Sequence, residues 1–251
     1  MTGIRKLFES VGWAGVVAAK SVAYFPSVVV RGPGRADLFR QLYATGIRTL
    51  PVITVVSLFM GMILALQVGL ELARFNQEAY LGSAVMLTLL REMGAFCCGI
   101  CLAACVGSAI AAELGTMKVN DEIDALVILR ISPMRFLASP RVLALILMAP
   151  VLAFYCDIVG TVGGGIVGVT QFNVDFKQYM SGALWMAVTK DLYVGLLKAV
   201  VFGFLVGVVS VSEGLGTTRG ATGVGKATQR AVIVSFLAIL VSGYMVTRMF
   251  Y

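Results

Sequence analysis

Long apolar runs alternate with short polar segments along this chain. Thr49 to Leu70 is uncharged for 22 residues and has Pro51 near its head; about 20 apolar residues carry a helix across the hydrocarbon core of a bilayer. The same pattern predicts further spans at Met86 to Ala112, Val142 to Gly168, Leu192 to Ser212 and Ala231 to Thr247, interrupted only by Arg91, Glu92, Asp157 and Lys198. An all-α polytopic membrane protein with five transmembrane helices follows. Within the third span Pro150 removes one backbone hydrogen bond and is expected to kink the helix. Ahead of the spans, Ile4, Leu7, Phe8, Val11, Val16 and Val17 interleave with Arg5, Lys6, Glu9 and Lys20 as far as Pro26. That pattern suits a helix lying in the membrane interface, since Gly12 and Gly15 break the apolar stretch a signal peptide would need.

The segment between the second and third spans is different in kind. In "AAELGTMKVNDEIDAL", Ala111 to Leu126, four of the thirteen acidic residues of the chain fall within fourteen positions. Asn120 is a suitable N-cap, Asp121, Glu122 and Asp124 put negative charge where the helix dipole favours it, and Pro133 ends the element. A helix of about eleven residues is predicted, with Ile123, Leu126, Val127 and Ile131 on one face toward the membrane surface. Ser139 and Pro140 then read as N-cap and first residue of the third span. Two readings stay open at this point: a solvated loop helix, or a docking element for a cytoplasmic partner.

Composition agrees with the pattern. The 251 residues are 59% hydrophobic and 13% charged, with a mean hydropathy of +0.93. That leaves too little polar surface to cover a soluble globule. Lys and Arg are distributed unevenly between alternate connecting segments. Seven lie before the first span, four in Glu113 to Arg141 and three in Glu213 to Arg230, against six on the other side when the intramembrane Arg91 and Lys198 are included. Basic residues in short loops stay in the cytoplasm, so the N-terminus is expected to be cytoplasmic and the C-terminus periplasmic. The net charge of +7 then belongs to orientation and anionic lipid, and its dispersal argues against a nucleic-acid partner.

Charges inside spans ask for a partner or a purpose. Arg91 and Glu92 are adjacent and point about 100° apart on a helix, too far to neutralise one another fully. Lys198 and Asp157 are the natural partners across the bundle. The four form either a buried structural network or a polar niche for an amphiphile with a charged head. Cys97, Cys101 and Cys105 share a helical face, but the chain has no His and thiolates are unfavourable in an apolar interior, so they read as packing residues and no metal site is expected. "GATGVGKA", Gly220 to Ala227, imitates a phosphate-binding loop. Ala227 stands where a hydroxyl should hold magnesium and no strand precedes the glycines, so it reads as a flexible turn. Gly160, Gly164 and Gly168, with Gly203 and Gly207, set small residues at the interval that lets helices approach closely, within the subunit or between subunits.

Taken together, "LLREMG" (Leu89 to Gly94), "VGSAIAAELGTMKVNDEIDAL" (Val106 to Leu126), "SPRVLA" (Ser139 to Ala144), "DIVGTVGG" (Asp157 to Gly164), "DLYVGLLKAVVFG" (Asp191 to Gly203) and "GVGKATQRAV" (Gly223 to Val232) resemble the MlaE/YrbE permease family, the membrane subunits of bacterial ABC transporters for lipids. The resemblance runs over residues 36 to 250. It implies one permease domain over residues 1–251, with residues 1–48 cytoplasmic or interfacial and 49–251 forming the five-helix region. It further implies a homodimer in the bacterial inner membrane, a cytoplasmic ATPase that supplies ATP and magnesium, a STAS-domain protein and a periplasmic MCE-domain hexamer; no cofactor is expected in this chain. By the same resemblance Glu113, Leu114, Gly115, Met117, Lys118, Asp121, Glu122, Ile123, Asp124 and Leu126 would form the coupling element, and Arg91, Glu92 and Lys198 would line the lipid path, with Asp157 a frequent family acid beside them. Three positions depart from the family pattern: Cys105 stands where many members have Arg, Ala95 where Pro is frequent, and Gly243 where some carry an acid.

The expected function is therefore a permease subunit that moves phospholipid or a related lipid between the inner membrane and the MCE-domain partner, with no catalytic site of its own. The runner-up is an ion-coupled secondary transporter of an amphiphilic or small anionic solute using Asp157, Glu92 and Lys198, for which the sequence shows no clear inverted repeat. A membrane-embedded enzyme is weaker still, since no nucleophile and base stand at a readable spacing.

Overall fold

A computed structural model describes residues 12–25, 32–218 and 220–251. The described residues are helical, without a strand: α1 (12–25), α2 (Gly32–Gly46), α3 (Leu50–Arg74), α4 (Leu81–Thr88), α5 (Gly94–Leu102), α6 (Ser108–Val119), α7 (Glu122–Ile128), α8 (Ser139–Phe172), α9 (Phe176–Met186), α10 (Thr189–Leu215) and α11 (Gly220–Phe250). Among the described residues five stretches are long and apolar enough to cross a membrane: Ala36–Arg74, Glu78–Val119, Met134–Phe172, Thr189–Leu215 and Gly220–Phe250. Each contains one expected span and extends beyond it. Residues Ile4 to Val11 and Pro26, on which the first part of the N-terminal pattern rests, lie outside the described residues; helix α1 covers Val16, Val17 and Lys20.

The second span, Glu78–Val119, contains three α-helical pieces. Wider π turns at Leu89–Met93 and Ala103–Gly107 join α4 to α5 and α5 to α6. A π turn is an extra residue accommodated inside a helix, and such turns recur at functional positions. In the third span, α8 runs unbroken from Ser139 to Phe172 with Pro150 inside it. A third π turn, Met134–Ala138, leads into α8 with Pro133 at its N-cap. Pro133 thus opens the third span instead of ending the polar helix. Ser139 is no N-cap either: its Oγ donates to the carbonyls of Met134 and of Ser21 on α1.

The contacts divide the chain into two compact units. The first comprises Met1–Arg48, Leu102–Met148 and Phe202–Leu240. Its interior holds Leu114, Val142, Leu145, Val206 and Val211, all fully buried. Helices approach closely there, since a Cβ on Gly207 would press on the backbone of Val142 and one on Gly214 would meet Leu114. The second unit comprises Thr49–Cys101, Ala149–Val201 and Val241–Tyr251. Ala65, Leu81, Val85, Leu89, Val167, Val174 and Tyr179 form its core, and Tyr179 donates its hydroxyl to the Thr161 carbonyl. The glycines of α8 serve this packing. Gly160 backs onto Leu89 and the Ser57 carbonyl, while Gly164 and Gly168 lie under Tyr179, so the fourfold spacing is used inside the subunit.

Candidate functional site

The π turn Leu89–Met93 carries both Arg91 and Glu92, and α10 supplies a partner for each. Asp191, Gly195 and Lys198 recur at i, i+4 and i+7, which puts them on one face of α10. A Cβ on Gly195 would collide with the Leu90 carbonyl, so glycine there is what brings α10 against the π turn. Asp191 and Lys198 are then about 10 Å apart along the axis at 1.5 Å per residue, and the adjacent Arg91 and Glu92 reach one each.

Two ion pairs result. Arg91 donates to Asp191 twice, Nε to Oδ1 at 3.0 Å and a terminal nitrogen to Oδ2 at 3.4 Å, the forked geometry that only a guanidinium offers a carboxylate. Lys198 Nζ donates to Glu92 Oε1 and to the Arg91 carbonyl, both at 2.6 Å. Each pair has one buried and one half-exposed member: Asp191 is 3% and Lys198 0% exposed, whereas Arg91 and Glu92 are both 40% exposed. The buried member anchors its partner, and Arg91 and Glu92 each keep an exposed side.

The last turn of α11 closes on the same cluster. Thr247 Oγ1 donates to Glu92 Oε1 at 2.6 Å. One turn on, the Tyr251 hydroxyl hydrogen-bonds Asp191, and its ring lies under Arg91 at 4.6 Å and under Lys190 at 4.9 Å. Burial and the Asp191 carboxylate push the Tyr251 hydroxyl up to about 12, so it is the proton donor of that bond at neutral pH.

The expected partnership of Lys198 with Asp157 does not form. Lys198 is committed to Glu92, and Asp157 is buried against Gly94 with its Oδ1 lacking any hydrogen-bond partner among the described residues. Sequence reasoning found Arg91, Glu92 and Lys198 and missed Asp191, Thr247 and Tyr251. The signal for Asp191 was present, as the seven-residue step to Lys198 across Gly195 in "DLYVGLLK". Nothing local marks Thr247 or Tyr251, which reach the cluster from the far end of the chain.

The polar segment lies in the other unit. Helix α7 is Glu122–Ile128, seven residues in place of eleven, with Asp121 as its N-cap in the left-handed region at φ 58°. Asn120 instead ends α6. Left-handed backbone at Asp121 and Arg130 brackets the helix, so it starts one residue later than an Asn120 cap would give and stops before Ile131. Of the ten candidate coupling residues, Leu114, Gly115 and Ile123 are buried. Gly115 lies against Thr217. Glu113 binds the buried Arg141 at 2.9 Å and Lys118 binds Asp124 at 2.8 Å. Met117 and Leu126 are half-buried, and Asp121 and Glu122 are exposed. Beside them Val127, Ile128 and Leu129 are exposed as well. Such an apolar patch rimmed by acids is the kind of surface that contacts a partner.

A family model described as Permease MlaE matches residues 38–249. The chain is 37% identical over 256 aligned positions to a probable ABC transporter permease protein of Rickettsia felis, covering 99% of each. It is 32% identical over 215 positions to the protein TRIGALACTOSYLDIACYLGLYCEROL 1, chloroplastic, of Arabidopsis thaliana, covering 86% of this chain and 61% of the relative. Identity to the intermembrane phospholipid transport system permease protein MlaE of Haemophilus influenzae is 30% over 246 positions, covering 96% and 91%. With five membrane-length helices and a match to the family over nearly its whole length, the chain belongs to the MlaE permease family of multi-pass ABC-transporter permeases.

Proposed function

We propose that this permease moves a phospholipid between the bacterial inner membrane and a periplasmic MCE-domain partner, with the Arg91, Glu92, Asp191 and Lys198 cluster receiving the headgroup. The observation that carries the reading is the half-open pairing. In a membrane-spanning helix, an arginine and a glutamate are each tethered by a buried counter-ion and each keep one side free. A guanidinium so held is ready for a phosphate oxygen, and a neighbouring carboxylate for an ammonium. The relative in Haemophilus influenzae, whose name specifies phospholipid transport, supports the same substrate class. Asp157 forms neither ion pair, so it stands outside the headgroup site in this proposal.

The energy enters from outside the chain. A separate cytoplasmic ATPase binds ATP and magnesium and engages the exposed acids and apolar tip of α7, which connects through Gly115 and Leu114 to the buried interior of its unit. The working unit is a homodimer with the N-terminus cytoplasmic and the C-terminus periplasmic, completed by a STAS-domain protein. The permease itself positions and releases lipid without making or breaking bonds.

Replacing Arg91 with Ala removes a charge-assisted contact worth roughly 1.5–3 kcal/mol and is expected to lower co-purified phospholipid about tenfold. The exposed Arg74, paired with Glu71 at 3.1 Å, provides the control, and R74A should retain wild-type lipid. Mass spectrometry of lipid extracted from the two purified proteins decides; equal retention in both would remove the cluster from the lipid path.

A further inference from the structure

The imitation phosphate loop is not a flexible turn. Gly220 to Ala227 forms the first turns of α11, and its lysine faces a cavity of about 280 Å³ where α10 and α11 meet. Lys226 and Arg230, both exposed, stand one turn apart in the lining with Thr222 one turn before them, and Thr217, Thr218 and, from α10, Glu213 complete it. Ala227 is the apolar lining between the two cations, and a Cβ on Gly223 would collide with the Thr218 carbonyl, so the chain there has no room for a larger residue. No ion pair or side-chain hydrogen bond joins Lys226 or Arg230 to another described residue.

We infer that this cavity, outside the Arg91 cluster, binds the phosphodiester of a phospholipid headgroup. Three features converge. The two cations project at i and i+4 on one face, and an arginine with adjacent hydroxyls can fork onto two phosphate oxygens. The N-terminal end of α11 places the positive end of a helix dipole at the same spot. The apolar run from Ala231 begins directly after Arg230, so the cavity sits at headgroup depth, where basic pockets between membrane helices take lipid phosphates. Volume and charge set the ligand class. At about 280 Å³ the space is at the lower end of the roughly 300–1,000 Å³ typical of small-molecule sites, a size that suits a headgroup. Among the described lining residues Lys226 and Arg230 outnumber the one carboxylate, Glu213, which suits an anionic phosphate.

The test is photo-crosslinking in vesicles of phosphatidylcholine and phosphatidylglycerol, using the full-length permease and a phosphatidylglycerol with a photoreactive headgroup, followed by peptide mapping. Crosslinks to the peptide spanning 213–230 are expected to fall at least fivefold in K226Q/R230Q, while those to the peptide containing Arg91 stay unchanged. That second readout separates this site from the proposed lipid path. Competition by soluble glycerophosphoglycerol at millimolar concentration would assign the site to a free phosphodiester, and failure of that competitor would assign it to the lipid; both support a diester site. The inference is overturned if K226Q/R230Q, with an unchanged thermal midpoint, crosslinks as well as the wild type, or if inorganic phosphate competes better than the diester.

Discussion

Lys198 is fully buried and satisfied by two acceptors, Glu92 Oε1 and the Arg91 carbonyl. Removing the carboxylate alone leaves an ammonium in an apolar interior, a change that costs about 3–5 kcal/mol when one member of a buried pair is deleted. Removing both charges costs much less, because a methionine fills the lysine's space without needing a counter-ion. E92A is therefore expected to lower the thermal unfolding midpoint in detergent more than E92A/K198M does. A double variant as unstable as the single one would show that the pair's value lies in packing and not in charge balance. The same residues mark what the sequence makes legible at this scale. Charges within apolar runs identify Arg91, Glu92 and Lys198 without any structure, because membranes penalise them wherever they occur. Which acid answers which base is not legible. It depends on the rotation that the π turn gives to Arg91 and Glu92 and on the depth of α10 against it, and neither has a local sequence signal; Lys198 consequently met Glu92 and not Asp157.

At the scale of elements, the close approach of α10 to the π turn depends on Gly195. Even one added carbon there meets the Leu90 carbonyl, and backbone cannot move aside as a flexible side chain can. G195A is expected to destabilise the unit by about 1–3 kcal/mol, the usual cost of overpacking, and to loosen both ion pairs at once, so co-purified lipid should fall with stability. Gly15 is the contrasting case, since nothing lies within 4 Å of a Cβ built there. G15A should be neutral or should stabilise α1 by up to about 1 kcal/mol. Thermal melts of the two variants side by side provide the measurement, and equal behaviour would mean that the Gly195 contact is slack. Spans were legible as elements because hydrocarbon thickness imposes a length on them. Their ends were not: the apolar signal stops where the membrane does, while α11 starts at Gly220, eleven residues ahead of the apolar run at Ala231. The polar helix is shorter than its sequence predicts at both ends for a related reason. Asp121 and Arg130 adopt left-handed backbone, a conformation uncommon for residues other than glycine and invisible to capping preferences.

For the whole molecule, the central question is how force from the ATPase that an ABC-transporter permease works with reaches this chain. Helix α7 offers two kinds of exposed group: the acids Asp121 and Glu122, and the apolar tip Val127, Ile128 and Leu129. The third acid, Asp124, is engaged with Lys118, and Ile123 is buried in its own unit. Reversing all three acids would therefore break an internal ion pair along with any docking contact. The cleaner variant is D121K/E122K, which changes only exposed charge and leaves Lys118, Asp124 and Ile123 in place. Rim charges mainly govern association rate and salt dependence, whereas apolar anchors at the centre of an interface carry most of its energy. D121K/E122K is accordingly expected to weaken ATPase binding severalfold, with the loss reduced at high salt by screening. I128E should abolish stable co-purification, since an ionised glutamate would be desolvated at the centre of the contact. In both variants the permease should keep its thermal midpoint and its co-purified lipid, because neither residue touches the Arg91 cluster or the interior of its own unit. Pull-down of the ATPase at two salt concentrations, with ATP turnover measured on the same samples, reads both effects. Undiminished co-purification with I128E would move the coupling surface off α7 and require the ATPase to be engaged elsewhere on this chain.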